Sequence, residues 1–247
     1  METQYGIITA KRSEYELRDL LVVPHKNKGL VVSHPAFGSN YFSINISEMK
    51  KDYSHPQTGK EINFKAPTTS ESVSAAAYDF GNLAKPQIFD PRWLQLGYIV
   101  RTSEGVFANP PKGAQGNPIT DENVLKVFLT SDRKVNGIYL LDNDFGFAPY
   151  ETFRQGTQDC DSFCEGGLAR ILEHIENKTA EKLREISSPK FYKKGVNVFN
   201  FDKSKEPALR VASLYSDRDF GRNRLDVDGD GWFGDNNGYA FGVCEDA

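Results

Sequence analysis

Apolar and polar residues change rhythm several times along the chain, and each change marks an element. Leu20-Leu21-Val22-Val23 and Leu30-Val31-Val32-Ser33 are short β-rich runs separated by Lys26-Asn27-Lys28-Gly29, which predicts two strands joined by a turn. Tyr5 to Thr9 predicts an earlier strand. From Tyr41 to Ile46 the polar-side residues Tyr41, Ser43 and Asn45 alternate with Phe42, Ile44 and Ile46, and that period of two predicts a strand with one buried face. Thr68 followed three residues later by Glu71 is a capping box, and Val73, Ala76, Ala77 and Phe80 then fall on one face. A helix is therefore expected over 69–80, closed by Gly81.

Leu96 to Phe107 predicts a strand pair around the turn Thr102-Ser103-Glu104-Gly105. Asn109 to Pro118 is rich in Pro and Gly and is the best candidate for a domain boundary, although its length suits an ordered surface loop equally well. A second helix is expected from near Thr120 to Ser131, with Asp121 and Glu122 in its first turn, where the helix dipole favours carboxylates. Val135 to Leu141 predicts a strand running into Asp142-Asn143-Asp144-Phe145-Gly146. Leu168, Leu172, Ile175, Thr179, Leu183 and Ile186 step by three and four and predict the longest helix, over 163–187, with Gly166 and Gly167 weakening its start. Val196 to Phe201 and Leu209 to Tyr215 are the last clear strands, and Tyr239 to Val243 is expected to pair back as a hairpin across the acidic stretch before it. The sum is an α+β fold: a single domain over 1–247, with a mostly antiparallel twisted sheet and about three helices packed on it.

Composition narrows the function classes. A net charge of -4, with no basic run longer than a pair, removes a nucleic-acid footprint. The longest aliphatic run, Leu20 to Val23, is far short of the roughly 20 residues that span a bilayer. Residues 1–12 lack the apolar core of a signal peptide, and three Cys are too few for a disulfide scaffold, so a soluble, cytoplasmic protein is expected. Asp-Phe-Gly occurs at 79–81, 144–146 and 219–221, but the flanks differ and no Gly-rich phosphate loop accompanies it, which excludes a kinase.

The densest chemistry is Asp226-Val227-Asp228-Gly229-Asp230-Gly231-Trp232, ending at Asn237. Three carboxylates at alternate positions followed by Gly suit a loop wrapping oxygen ligands around a hard cation. The stretch resembles an EF-hand calcium loop: Asp226, Asp228 and Asp230 match ligand positions one, three and five, Gly231 matches the Gly at six, and Trp232 would offer its carbonyl at seven. Asn237 stands where the family has a bidentate Glu, and the flanks are not helical. The resemblance thus implies a low-affinity Ca2+ loop, toward the ~10⁻⁴–10⁻³ M end of calcium sites. The expected function is a non-catalytic binding or structural domain ordered by Ca2+. A partner protein or a sugar is left open as its ligand; Trp232 offers a stacking face for a sugar ring.

Two enzyme readings stand beside it. Asp142-x-Asp144 at a strand end resembles the Mn2+ or Mg2+ motif of glycosyltransferases that use nucleotide sugars, which implies a metal held against a diphosphate. Asp159-Cys160-Asp161-Ser162-Phe163 at a helix start resembles the nucleophile turn of papain-like amidases and acyltransferases, which implies Cys160 as nucleophile. His174 lies too far along the same predicted helix to serve it, so the base would be upstream: His34, His25 or His55.

Overall fold

A computed structural model describes residues 8–13, 16–55, 58–89, 92–218, 221–231 and 237–244, with backbone alone before residue 18. Strands β1 (Ile8–Ser13), β2 (Glu16–His25) and β3 (Lys28–His34) form an antiparallel meander. After β4 (Phe37–Gly38) and helix α1 (Phe42–Met49) come β5 (Tyr53–Ser54), β6 (Glu61–Ile62) and β7 (Phe64–Lys65). Helix α2 (Thr69–Asn82) leads into β8 (Trp93–Arg101) and β9 (Gly105–Ala108). Helix α3 (Glu122–Lys126) precedes β10 (Lys134–Val135), β11 (Ile138–Leu140), β12 (Gly146–Pro149) and β13 (Gly156–Gln158). Helices α4 (Cys160–Glu165), α5 (Gly167–Glu173) and α6 (Glu181–Ile186) follow, then β14 (Val196–Phe199), β15 (Ala208–Asp217), β16 (Arg224–Asp228), β17 (Gly238–Ala240) and β18 (Val243–Cys244).

The fold mixes α and β, with two sheets rather than one and six α-helices rather than three among the described residues. The first sheet runs β6-β5-β1-β2-β3-β18-β7. The second runs β10-β11-β12-β9-β8-β15-β16-β14-β13, with β17 and β4 added beside β8. It is a mixed sheet, because β14 pairs with β16, and β17 with β8, in parallel. Helix α2 is the organising element. Thr68 accepts the Glu71 N–H and Glu71 returns the bond to the Thr68 N–H, so the capping box forms as read. Val73, Ala75, Ala76 and Ala77 are all buried, and their small size lets α2 pack against β2, β8, α5 and α6 at once. A second core on the other side joins Phe37, Phe42, Met49, Tyr53 and Phe64, with edge-on ring pairs at 5.3–5.8 Å.

Several elements differ from the pattern reading. Residues 42–49 are the helix α1, not a strand: Phe42, Asn45 and Met49 are buried at helical spacing, while Ile44 is exposed. Asn45 Nδ2 fixes that face by donating to Gln95 Oε1, the Gly238 carbonyl and the Asn40 carbonyl at 2.8–3.2 Å. The long helix is broken into α4, α5 and α6. Gly166 is extended (ψ 148°) between α4 and α5, and His174 ends α5 in the left-handed region. Leu168, Leu172, Leu183 and Ile186 are nonetheless all buried, so the apolar spacing identified the core residues but not the breaks. Asn136-Gly137 splits the expected 135–141 strand into the hairpin β10–β11, both turn residues having positive φ. The stretch 239–243 does not pair across the acidic segment. β17 joins β8 and β4, and β18 joins β3 and β7. Of the predicted strand over 5–9, residues 5–7 lie outside the described residues. Around the 109–118 loop, Asn109 bonds to Thr69 and to the Asp144 carbonyl, and Gly113 bonds to Asn117. No helix among the described residues is long and apolar enough to cross a membrane.

Candidate functional site

The start of the acidic stretch is a strand, not a loop. β16 lies between β15 and β14, which places Asp226 opposite Tyr215 and Asn197, and Asp228 opposite Ser213 and Phe199. Two residues apart on one strand, Asp226 and Asp228 share a face, their Cα atoms about 6.7 Å apart. The opposite face of the same strands, with Leu225, Val227, Val196, Val198 and Leu214, is buried in the main core. Alternation therefore sends every apolar residue of Arg224–Asp228 inward and both carboxylates to the other side. Trp93 flanks that polar face, its ring 4.8 Å from Tyr215 and 6.3 Å from Phe199.

Each carboxylate has a defined partner. Asp226 Oδ1 accepts from Asn197 Nδ2 at 3.0 Å and lies 2.8 Å from Arg224 Nε. Asp228 Oδ1 accepts from Asn200 Nδ2 and from the Asp230 N–H, both at 2.9 Å. Neither Oδ2 takes a protein hydrogen bond among the described residues. Both side chains are buried, and burial pushes both carboxyls above the usual aspartate range. The Asn197 amide and Arg224 offset this only in part for Asp226, as do the Asn200 amide and the Asp230 N–H for Asp228. Asp230 points elsewhere, its Oδ1 2.6 Å from Arg210 Nε. Asp217 sits opposite Arg224 and pairs with Arg222 at 3.4 Å. Asn237 serves another edge: its Oδ1 accepts from Ser39 Oγ at 2.8 Å and its carbonyl from the Trp93 N–H. Since β8 and β16 are separated by β15, that edge is about 10 Å away. Trp232 and Asp219 lie outside the described residues. Among the described residues no group of three or more His, Cys, Asp or Glu converges as a metal-ligating set, and Asp226 and Asp228 are the predicted ligands seen side by side on one face.

The Asp142-x-Asp144 pair is divided between two environments. Asp142 is exposed and paired with Arg133 at 3.2 Å. Asp144 is buried, with Oδ1 on Lys26 Nζ and 3.6 Å from His174 Nδ1, and Oδ2 accepting from Thr68 Oγ1 at 2.8 Å. Burial pushes the Asp144 carboxyl up, but the hydrogen bonds from Lys26 and Thr68 and the charges of Lys26 and His174 together bring it below the usual range. A second polar chain runs alongside. His25 Nδ1 is 2.9 Å from Ser74 Oγ, which accepts from Lys182 Nζ at 2.6 Å and donates to the Ser70 carbonyl. The Asp142-x-Asp144 motif pointed to Asp144, but nothing local pointed to Lys26, Asn109 or His174, which lie 118, 35 and 30 positions from it.

Cys160 and the upstream histidines have separate partners. Cys160 Sγ is 3.1 Å from Ser187 Oγ and 3.7 Å from the Arg184 carbonyl, and both Cys160 and Cys164 are buried. The Cys164 thiol and Ser187 can donate to a Cys160 thiolate, which lowers the Cys160 pKa, whereas Cys164 is pushed up. No histidine is among the hydrogen-bond partners of Cys160. His34 lies 3.5 Å from the buried Asp79, His25 bonds Ser74, and His55 accepts from the Thr58 N–H in its own turn. No protein-family model, curated protein or solved structure matches this chain.

Proposed function

We propose that the protein is a non-catalytic binding or structural domain whose polar sheet face takes a divalent cation, Ca2+ first, between Asp226 and Asp228. The observation that carries this reading is that two neighbouring buried carboxylates each commit Oδ1 to an Asn amide and leave Oδ2 without a protein partner among the described residues. An all-oxygen donor pair suits a hard cation, and burial has made both carboxyls costly to ionise without one. With Arg224 already beside Asp226 and no bidentate Glu, affinity belongs at about 10⁻⁴–10⁻³ M. The transferase reading needs Asp142 and Asp144 to share a metal, and their separate partners speak against it. The hydrolase reading needs a base on Cys160, whose hydrogen bonds go to Ser187 and Arg184.

Thermal melting with and without Ca2+ tests the proposal. At Ca2+ about twentyfold above a sub-millimolar Kd, linkage gives about 1.8 kcal/mol. For a chain of this size that is a rise of about 4–7 °C. An equal rise in Asp226→Asn/Asp228→Asn, or no rise in the parent protein, would sink it.

A further inference from the structure

Toward its other end, the same face of the larger sheet carries an aromatic row. Phe107, Phe147, Tyr139 and Lys134 stand opposite one another in turn across β9, β12, β11 and β10. The rings of Phe107 and Phe147 are 4.4 Å apart and those of Phe147 and Tyr139 6.1 Å apart. The outer end of this row lines a surface cleft of about 700 Å³, to which Tyr150 also contributes. That volume is in the range that holds small organic ligands, about 300–1,000 Å³. Phe147 is buried, while Tyr139 and Tyr150 are half-buried, and all three line the cleft.

Charge sits on the rings. The Lys134 ammonium is 5.7 Å from the centre of Tyr139, and the Lys203 ammonium 5.7 Å from the centre of Tyr150. Neither lysine has a carboxylate partner among the described residues, although Glu104 and Glu151 line the same cleft. Glu104 is paired instead with Lys126 at 2.7 Å, outside the cleft. The geometry points to a mononucleotide as the ligand of this cleft. Lys134 and Lys203 swing off the rings to meet its phosphate, its base takes their place against Tyr139 and Tyr150, and the Glu151 carboxylate accepts from a base amino group or a ribose hydroxyl. Base–aromatic stacking tolerates any base, and lysine binds phosphate as a point charge, so the class is set more firmly than the base.

Calorimetric titration of the full chain with AMP in EDTA tests this apart from the cation site, because Asp226 and Asp228 have no part in it. AMP should bind with Kd of about 0.1–1 mM, and adenosine at least about tenfold more weakly, as expected when the contacts to both lysines are lost with the phosphate. Lys134→Ala and Lys203→Ala should each weaken AMP about three- to tenfold, with melting temperature unchanged because both side chains are exposed. Tyr139→Leu should weaken AMP and adenosine alike. No AMP binding at about 5 mM would overturn the assignment, as would equal affinity for AMP and adenosine or full affinity in the double lysine variant.

Discussion

Asp144 adopts φ +63°, and four more non-glycine residues in the left-handed region surround it: Lys26, Asn109, Asn143 and His174. Among the described residues eight non-glycine positions have such a φ, so most of this backbone strain collects around one carboxylate. Lys26 sits in the β2–β3 turn and His174 caps α5, where left-handed backbone closes the hairpin and the helix end, and their side-chain contacts with Asp144 add to that. Asp144→Ala should cost about 2–4 kcal/mol in urea unfolding, because it leaves the part-buried Thr68 hydroxyl without its acceptor and puts Ala at a left-handed φ. Lys26→Ala should cost less, about 1 kcal/mol, since the lysine is 46% exposed and solvent screens its charge. Equal small losses in both variants would contradict this. The same cluster predicts acid sensitivity. Burial holds His25 and His174 below the ordinary histidine value of 6.5, so the unfolded chain binds protons at these sites first. Their contribution is fully present above about pH 6.5 and is lost as pH falls through the lowered folded values. The melting temperature should therefore drop below about pH 6.5, and His174→Asn should flatten the drop. The raised carboxyls of Asp226, Asp228 and Glu173 act with the opposite sign, because the folded state protonates them first, and only at lower pH.

Among the elements, α2 was legible because its signals are local: the cap, the small buried residues and the helical spacing all sit within one stretch. The break between α4 and α5 was not, because it turns on the extended Gly166, and the next residue, Gly167, is set by a neighbouring segment rather than by local pattern. A Cβ on Gly167 would lie 2.1 Å from Thr152 Oγ1, which is held by its own bond to the Pro149 carbonyl. Helix propensity alone favours Ala over Gly by about 1 kcal/mol. The clash decides the sign, and Gly167→Ala should destabilise the protein by about 1–3 kcal/mol in thermal or urea melts. A neutral or stabilising result would show that the Thr152 turn yields. The acidic segment illustrates the same limit. Asp226-x-Asp228-x-Asp230 reads as a loop on spacing alone, but Leu225 and Val227 alternate with it and are wholly buried, which makes Arg224–Asp228 a strand. The clue was the apolar alternation, hidden by the denser signal of the acids.

Across the whole molecule, the last strands tie the two sheets together. β17 lies against β8 in one sheet and β18 lies between β3 and β7 in the other, while Gly242 exchanges hydrogen bonds with Ser33, 209 positions away. Pairings of that span leave no mark in local composition, which is why the α+β class was readable and the division into two sheets was not. The polar face with Asp226 and Asp228 is held by β14, β15 and β16, so a cation there would bear on interior strands toward one side of the larger sheet rather than on a free end. Calorimetric titration of Ca2+ at two pH values tests that claim most directly. Ca2+ competes with protons for carboxyls that burial has raised, so affinity should be lower in acid than at about pH 7, and in acid the binding heat should scale with the buffer's ionisation enthalpy. Both the binding and its pH dependence should vanish in Asp226→Asn/Asp228→Asn. Calcium heat that persists in that variant, or none in the parent protein at several millimolar Ca2+, would contradict the account.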